Sequence, residues 1–232
     1  MSDASAAVPV PLTRVDVADI AVRLFHEFGY EATSATQIAE AAGVSRSTFF
    51  RQFGSKDDVI FADHDELLEQ ISSYFASQHE DPWTAVCEAA SLVFERFRER
   101  LEIVRLRDLV VRESQVLRDR ETVMVSRYEK TFATYLRQML PRLDPLVAIR
   151  FASAVTATHN FELRRLIRSD ARVGPEELAA ELVEVRRLLS PTFDSSTTSG
   201  VSPDLVVAVF PASTSPYDLA RAIEERLRAI TG

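Results

Sequence analysis

Apolar residues recur along this chain at the three-to-four-residue spacing of α-helices, interrupted by short polar steps. Val17, Ile20, Ala21, Leu24, Phe25 and Phe28 form the first stripe. Thr13, with Asp16 three residues on, opens it, and Gly29 stops it. Ser34 and Gln37 have capping-box spacing and predict a second helix from Ala35 to about Ala42. Gly43 breaks that helix, Ser45 opens a third that reaches about Gln52, and Gly54 ends it. Ser55 opens a fourth, which the pattern carries as one long helix to about residue 78. Asp81-Pro82 starts another, reaching about residue 98, since proline suits the first helical position. Helical spacing continues through 100–113, 115–140, 145–168 and 174–189. DSSTTSGVSP (194–203) reads as a polar linker, 204–210 as a short apolar extended segment, and 216–230 as a last amphipathic helix.

These elements predict an all-α protein. A flexible arm over 1–12 precedes a three-helix domain over 13–54, a larger helical domain over 55–193, and a linker with a C-terminal helix over 194–232. Three of the six glycines fall at 29, 43 and 54, each just beyond a short helix, and this clustering is the strongest organising signal in the chain.

Composition narrows the classes. With one cysteine, Cys87, no intrachain disulfide can form and a cysteine-based zinc site is a poor reading. Charge interrupts every apolar stretch before it could span a bilayer, and the first residues lack the basic start and apolar run of a secretory signal. A cytoplasmic protein without a membrane partner is expected. The net charge of −8 argues against indiscriminate nucleic-acid binding, so the distribution of positive charge decides. Residues 1–60 hold five basic and eight acidic side chains, yet 41–56 holds Arg46, Arg51 and Lys56 and no acid.

That patch falls inside SATQIAEAAGVSRSTFFRQFGSK (34–56), which fits a helix-turn-helix. Ala39 is small where two helices must cross, Gly43 supplies the turn, and Ile38, Val44, Phe49 and Phe53 anchor the pair. The second helix of the unit is sized for the DNA major groove. Its exposed face carries Ser45, Arg46, Ser47, Phe50 and Arg51. The arginines reach base edges or phosphates, the serines donate to phosphates, and Lys56 adds a phosphate contact at the next helix start. A helix–glycine–helix corner alone fits a structural cap with solvated arginines better than a DNA reader; the segregated charge raises the case for the groove.

The stretch ADIAVRLFHEFGYEATSATQIAEAAGVSRSTFFRQFGSKDDVI resembles the N-terminal domain of TetR-type bacterial regulators. The FGY-x-x-T step, the IAEAAGVS turn, the STFFRQF helix and the following SK all fall in register. The resemblance implies a homodimer on a double-stranded DNA operator, and a larger helical domain that dimerises and binds a small-molecule effector, which loosens the DNA. It adds Thr33, Ser34, Thr48 and Gln52 to the expected DNA-binding set. Phe50 stands where many members have tyrosine, and Gln52 where histidine or tyrosine is frequent. LRDRE (117–121) and VVAVF (206–210) resemble regulators of actinobacterial type.

In the larger domain, Phe61, Leu68, Trp83, Phe94, Met124, Tyr128, Phe132, Phe151, Val155 and His159 are candidate walls of an effector pocket for a largely apolar ligand, against the plainer reading of ordinary core. Ala148, Ala152 and Val155, with Leu178, Leu182, Val185 and Leu189 spaced i, i+4, i+7, i+11, are candidates for a dimer interface in a four-helix bundle, against burial in the chain's own body. The long fourth helix is expected to carry the effector's influence to the DNA-binding domain.

Two rival classes remain. An enzyme could use the DHDE run (63–66), but neighbouring helix positions point apart and do not converge on a metal. No GxSxG, P-loop, GxGxxG or HExxH pattern is present, so neither a metal nor a cofactor is expected. A protein-binding helical adaptor would leave Arg46 and Arg51 without a role.

Overall fold

The computed structural model describes residues 12–168 and 174–190. All regular structure among them is α-helical, in the order α1 (Arg14–Phe28), α2 (Ala35–Ala41), α3 (Arg46–Phe53), α4 (Lys56–Val59), α5 (Ala62–Phe75), α6 (Pro82–Glu99), α7 (Leu101–Glu113), α8 (Gln115–Met139), α9 (Pro145–Arg168) and α10 (Pro175–Leu189). The arm over 1–12, apart from Leu12, lies outside the described residues, as do the 194–203 linker, the 204–210 segment and the 216–230 helix.

The first three helices form where their caps dictate. Thr13 Oγ1 accepts from the Asp16 amide at 3.1 Å while the Asp16 carboxylate accepts from the Thr13 amide at 2.8 Å. Ser34 and Gln37 close the same reciprocal pair at α2. Between α2 and α3 the chain reverses through Gly43 at φ 65°, a left-handed position that a side chain would strain. Val44 then donates back to the Ala39 carbonyl at 2.9 Å, locking the corner. Ile38, Ala39, Phe49 and Phe53 are buried in the same core as Val17, Ala21 and Phe25 of α1. Truncating the fully buried Phe49 to alanine would cost about 3–5 kcal/mol.

The single long helix read over 55–78 is in fact two. Its first turn, α4, stops at Val59, and α5 starts at Ala62 and ends at Phe75. Phe61 sits at φ −111°, ψ 14°, and its amide bonds to the Asp58 carbonyl three residues back at 3.1 Å. The cause is burial: Val59, Ile60, Phe61, Ala62 and Asp63 are all buried in succession. Five neighbours cannot share one side of a straight helix, whose successive side chains point about 100° apart. A bend lets all five face inward.

The remaining helices build one body. Asp81 caps α6 by accepting from the Trp83 and Thr84 amides at 3.3 and 3.1 Å. It also receives Arg186 of α10 at 2.9 Å, pinning the two helices together. α9 packs on α8, α10 and α6, and the short 140–144 link makes α8 and α9 antiparallel neighbours. α1 lies across α5 and α7 and joins the three-helix unit to this body. Ion pairs reinforce the join: Asp65 holds Arg14 of α1 at 3.3 Å and Arg127 of α8 at 2.7 Å. Arg120 of α8 reaches Asp58 of α4 at 3.2 Å.

Candidate nucleic-acid interface and ligand cavity

α3 turns Ser45, Arg46, Ser47, Phe50, Arg51 and Gln52 to solvent, with Thr48 half-buried beside them. Ser45 is the N-cap, accepting from the Thr48 amide at 3.1 Å, and its hydroxyl also meets those of Ser47 and Thr48 at 2.9 Å. The Arg46 guanidinium lies 5.5 Å from the centroid of the Phe50 ring. Neither Arg46 nor Arg51 is ion-paired among the described residues, so both charges are available to phosphates or guanine edges. Phe50 remains 39% exposed, an apolar surface of the kind that meets a thymine methyl. Ser34 is exposed at the start of α2 and lines a shallow surface pocket together with Phe50 and Lys56.

Two expected DNA contacts take other roles. Thr33 is buried, and its hydroxyl donates to the Gly29 carbonyl at 2.8 Å, sealing the end of α1. Lys56 donates to the Tyr30 and Thr33 carbonyls at 2.9 and 3.2 Å, with its ammonium 4.1 Å from the Tyr30 ring centroid. It is a clamp on the 30–33 loop before it is a phosphate ligand. Tyr30 itself hydrogen-bonds Asp57, and burial together with that carboxylate pushes the phenol pKa up. Nothing in the sequence spacing links Lys56 to a loop some 26 positions earlier.

A cavity of about 320 Å³ lies within the larger body, lined from α5 through α9. Of the expected walls, Phe61, Met124, Tyr128, Phe132 and His159 line it. Leu68, Trp83, Phe94, Phe151 and Val155 do not: they are buried in solid core, where Trp83 meets Phe151 edge-on with centroids 4.8 Å apart. Helical periodicity marks a residue as buried without saying whether it abuts a neighbour or a void. Asn160, a polar group that its place beside His159 suggests for ligand specificity, also lines the cavity, whereas His64, Arg107, Thr156 and Leu163 line it without having been expected to. Thr156 and Leu163 flank His159 on one helical stripe, at i−3 and i+4, which is a usable signal.

Burial governs the electrostatics of this cavity. His64 lies among Phe61, Phe97 and Tyr128, and its Nδ1 is 3.1 Å from the Tyr128 hydroxyl. Burial pushes its pKa down to about 4 against the opposing pull of Asp63. His159 is likewise held down to about 4 by burial, with Nδ1 3.2 Å from Asn160 Oδ1. Both rings are therefore neutral near pH 7. Burial alone would raise Asp63, but Arg107, His64 and Arg100 outweigh it and hold the carboxyl below its ordinary value. Arg100 bridges Asp63 to Asp19 of α1.

The DHDE run disperses as its helical spacing requires. Asp63 pairs with Arg107, His64 meets Tyr128, Asp65 takes Arg14 and Arg127, and Glu66 takes Gln70. No cluster of His, Cys, Asp and Glu suited to a metal occurs among the described residues. Cys87 is largely buried, and burial pushes its thiol up to about 12, which suppresses the thiolate at neutral pH. No helix among the described residues is long and apolar enough to cross a membrane.

The residues expected at a dimer interface mostly face the other way. Ala148, Ala152, Val155, Leu178 and Leu182 are buried in the chain's own core, and Val185 packs partly against it; only Leu189 is exposed. The i, i+4, i+7 stripe of α10 is the one that α6 and α9 already cover. The outer sides of these helices expose Leu146, Ile149 and Phe161 on α9 and Val183 on α10.

A glycine-turned helix pair with exposed arginines, carried on a helical body with a cavity, has the form of a helix-turn-helix unit joined to a larger helical body. Residues 18–62 match the profile of the bacterial regulatory proteins, tetR family. The chain is 42% identical over 57 residues to the HTH-type transcriptional regulator AcrR of Shigella flexneri, spanning 25% of this chain and 26% of that protein. It is 32% identical over 98 residues to the HTH-type transcriptional regulator YvkB of Bacillus subtilis, spanning 40% of this chain and 50% of that protein. The chain thus spans only about a quarter to a half of the length of these curated relatives. A solved structure assigned to the TetR family, from Syntrophomonas wolfei, shares the fold with a TM-score of 0.58 at 19% identity, over 76% of this chain and 94% of that one. Residues 18–62 are thus similar to the DNA-binding domain of the tetR family of bacterial regulatory proteins.

Proposed function

We propose that this regulator is a repressor that binds a palindromic operator as a homodimer through α3, and that a small, largely apolar effector in the cavity releases it. It works in the cytoplasm, on chromosomal DNA. The observation that carries the reading is the sharing of one short segment by both sites. Phe61 and His64 line the cavity, while Asp58, Asp63 and Asp65, interleaved with them, tie that segment to α8, α7 and α1. A ligand against Phe61 and His64 therefore acts on the residues that set the pose of the DNA-binding helices. For release, the effector must favour the non-binding pose over the binding one.

The exposed apolar surface of α9 and α10, with Leu146, Ile149, Phe161 and Val183, is the proposed dimer face. Pairing there with a two-fold mate completes a four-helix bundle. The two copies of α3 then read half-sites about 34–36 Å apart, or a multiple of that spacing.

Fluorescence anisotropy on an operator fragment from the regulator's own promoter tests this. R46A and R51A should each weaken binding by about 1–3 kcal/mol where the arginine reads a base. An effector should lower operator affinity of the wild-type chain at least tenfold. Unchanged affinity in both arginine variants would return the chain to the adaptor class.

A further inference from the structure

The cavity is polarised along its length. On α9 its wall is the stripe Thr156, His159, Asn160, Leu163, Arg164, Ile167 and Arg168. At 1.5 Å per residue that stripe runs about 18 Å, from neutral polar groups at one end to a stretch where aliphatics and two arginines alternate at the other. The antiparallel wall on α8 repeats the order, with Tyr128 and Phe132 opposite the histidine end and Arg118 at the other. α7 ends beside Arg118 and adds Arg112.

Charge at the arginine end is unbalanced. Arg107, Arg112, Arg118, Arg164 and Arg168 line the cavity, against Asp108 and Glu121. Arg107 is committed to Asp63, and Arg112 to Asp108. Arg118 donates to Gln115 and to the Arg112 carbonyl. Arg164 and Arg168 form no ion pair or hydrogen bond among the described residues. Glu121 is the nearby counter-charge, and burial pushes its pKa up, which weakens it as a partner. A net positive rim is notable in a chain of net charge −8.

The other end carries unmet hydrogen bonds. Thr156 Oγ1 and His159 Nε2 are buried and have no partner. Both residues are more than nine-tenths buried and both line the cavity. The neutral His159 ring donates from Nδ1 to Asn160 Oδ1, which leaves Nε2 as an acceptor. A buried acceptor without a donor costs about 1–3 kcal/mol. One ligand hydroxyl satisfies the pair by donating to Nε2 and accepting from Oγ1.

Resting on the effector reading above, we propose that the cavity takes an elongated organic anion. Its carboxylate or phosphate meets Arg164 and Arg168, its apolar body lies against Val93, Val111, Met124, Phe132 and Leu163, and a hydroxyl at the far end meets Thr156 and His159. Anion recognition by guanidinium and a satisfied internal acceptor together exclude a cationic or uniformly apolar ligand.

Isothermal titration of the full chain with decanoate, decyl phosphate, decanol, decylammonium and 10-hydroxydecanoate tests the assignment. At least one anion should bind tenfold or more tightly than decanol and decylammonium, and the better head group identifies carboxylate or phosphate. R164A/R168A should erase that advantage and leave decanol binding unchanged; both side chains are exposed, so their truncation spares the core. 10-Hydroxydecanoate should outbind decanoate several-fold, and T156V, nearly isosteric, should remove the gain. Equal or tighter binding of decylammonium, an anion advantage that survives R164A/R168A, or no binding by any probe overturns the assignment. Operator anisotropy run in parallel separates the two readings. Release by decanol or decylammonium keeps the effector reading and removes the anion, whereas tight anion binding without release does the reverse.

Discussion

Both carboxylate oxygens of Asp63 lie 2.7 Å from one guanidinium nitrogen, Nη1 of Arg107. Both side chains are nearly buried, and the guanidinium also lies 5.3 Å from the Phe97 ring centroid. Removing one partner strands the other charge in the interior. D63N should lose about 3–5 kcal/mol in urea unfolding. D63N/R107M, which removes both charges, should recover most of that loss. A double variant no more stable than D63N would mean that Asp63 acts through Arg100 and Asp19 instead.

Lys56 gives a second test, because its ammonium is held by protein carbonyls. K56M should keep the packing on Tyr30 and lose about 1–3 kcal/mol of stability. The slope of log operator affinity against log salt should change by well under the unit that a lost phosphate contact removes. A full unit of change with undiminished stability would restore Lys56 as a phosphate ligand.

Acid should weaken the fold through its histidines. His64 and His159 fall from the ordinary 6.5 to about 4 in the folded chain. As pH drops below about 6.5 the unfolded chain gains protons that the folded chain refuses until about 4, so stability falls across that window. Glu121, raised by burial, opposes this in part. Urea midpoints between pH 7 and pH 4.5 should decline, and H64Q and H159Q should each flatten the decline. An unchanged slope in both variants would assign the acid sensitivity elsewhere.

Assembly should depend on the outer side of α9. I149E and F161E place charge on exposed apolar positions, so each should leave the fold's stability within about 0.5 kcal/mol. Each should shift sedimentation toward the monomer and weaken operator binding with it. V155E, at a position buried inside the chain, should instead fail in folding. A dimer that withstands both I149E and F161E would place the interface on another surface.

The sequence was most legible where local chemistry dictates geometry. Thr13–Asp16, Ser34–Gln37, Gly43 and Asp81–Pro82 each set a boundary through contacts a few residues apart, and the structure draws those boundaries where the pattern puts them. The exposed face of α3 followed, since charge and periodicity are both local. What escaped depends on partners distant in sequence. The bend at Ile60–Phe61 answers to five consecutive residues buried by other helices, which local spacing reads as a continuing helix. Thr33 is expected at DNA from the family resemblance and Lys56 from its ammonium at a helix start, yet the folded loop takes both first. The stripe on α10 was apolar enough for an interface, but an apolar face does not say which copy of the chain will cover it.

The two-residue break between α4 and α5 has a mechanical consequence. An unbroken helix transmits force as a stiff strut, passing along its axis whatever displacement it receives. A joint with one aromatic ring, Phe61, set against the cavity converts a sideways push into rotation. Under the effector mechanism proposed above, the torque would be spent on a few backbone dihedrals instead of on helical hydrogen bonds, so the reading head would swing while every helix keeps its shape. By the same mechanism, sensitivity to ligand would be tuned at the pivot, by residue size at positions 60 and 61, independently of the grip on DNA.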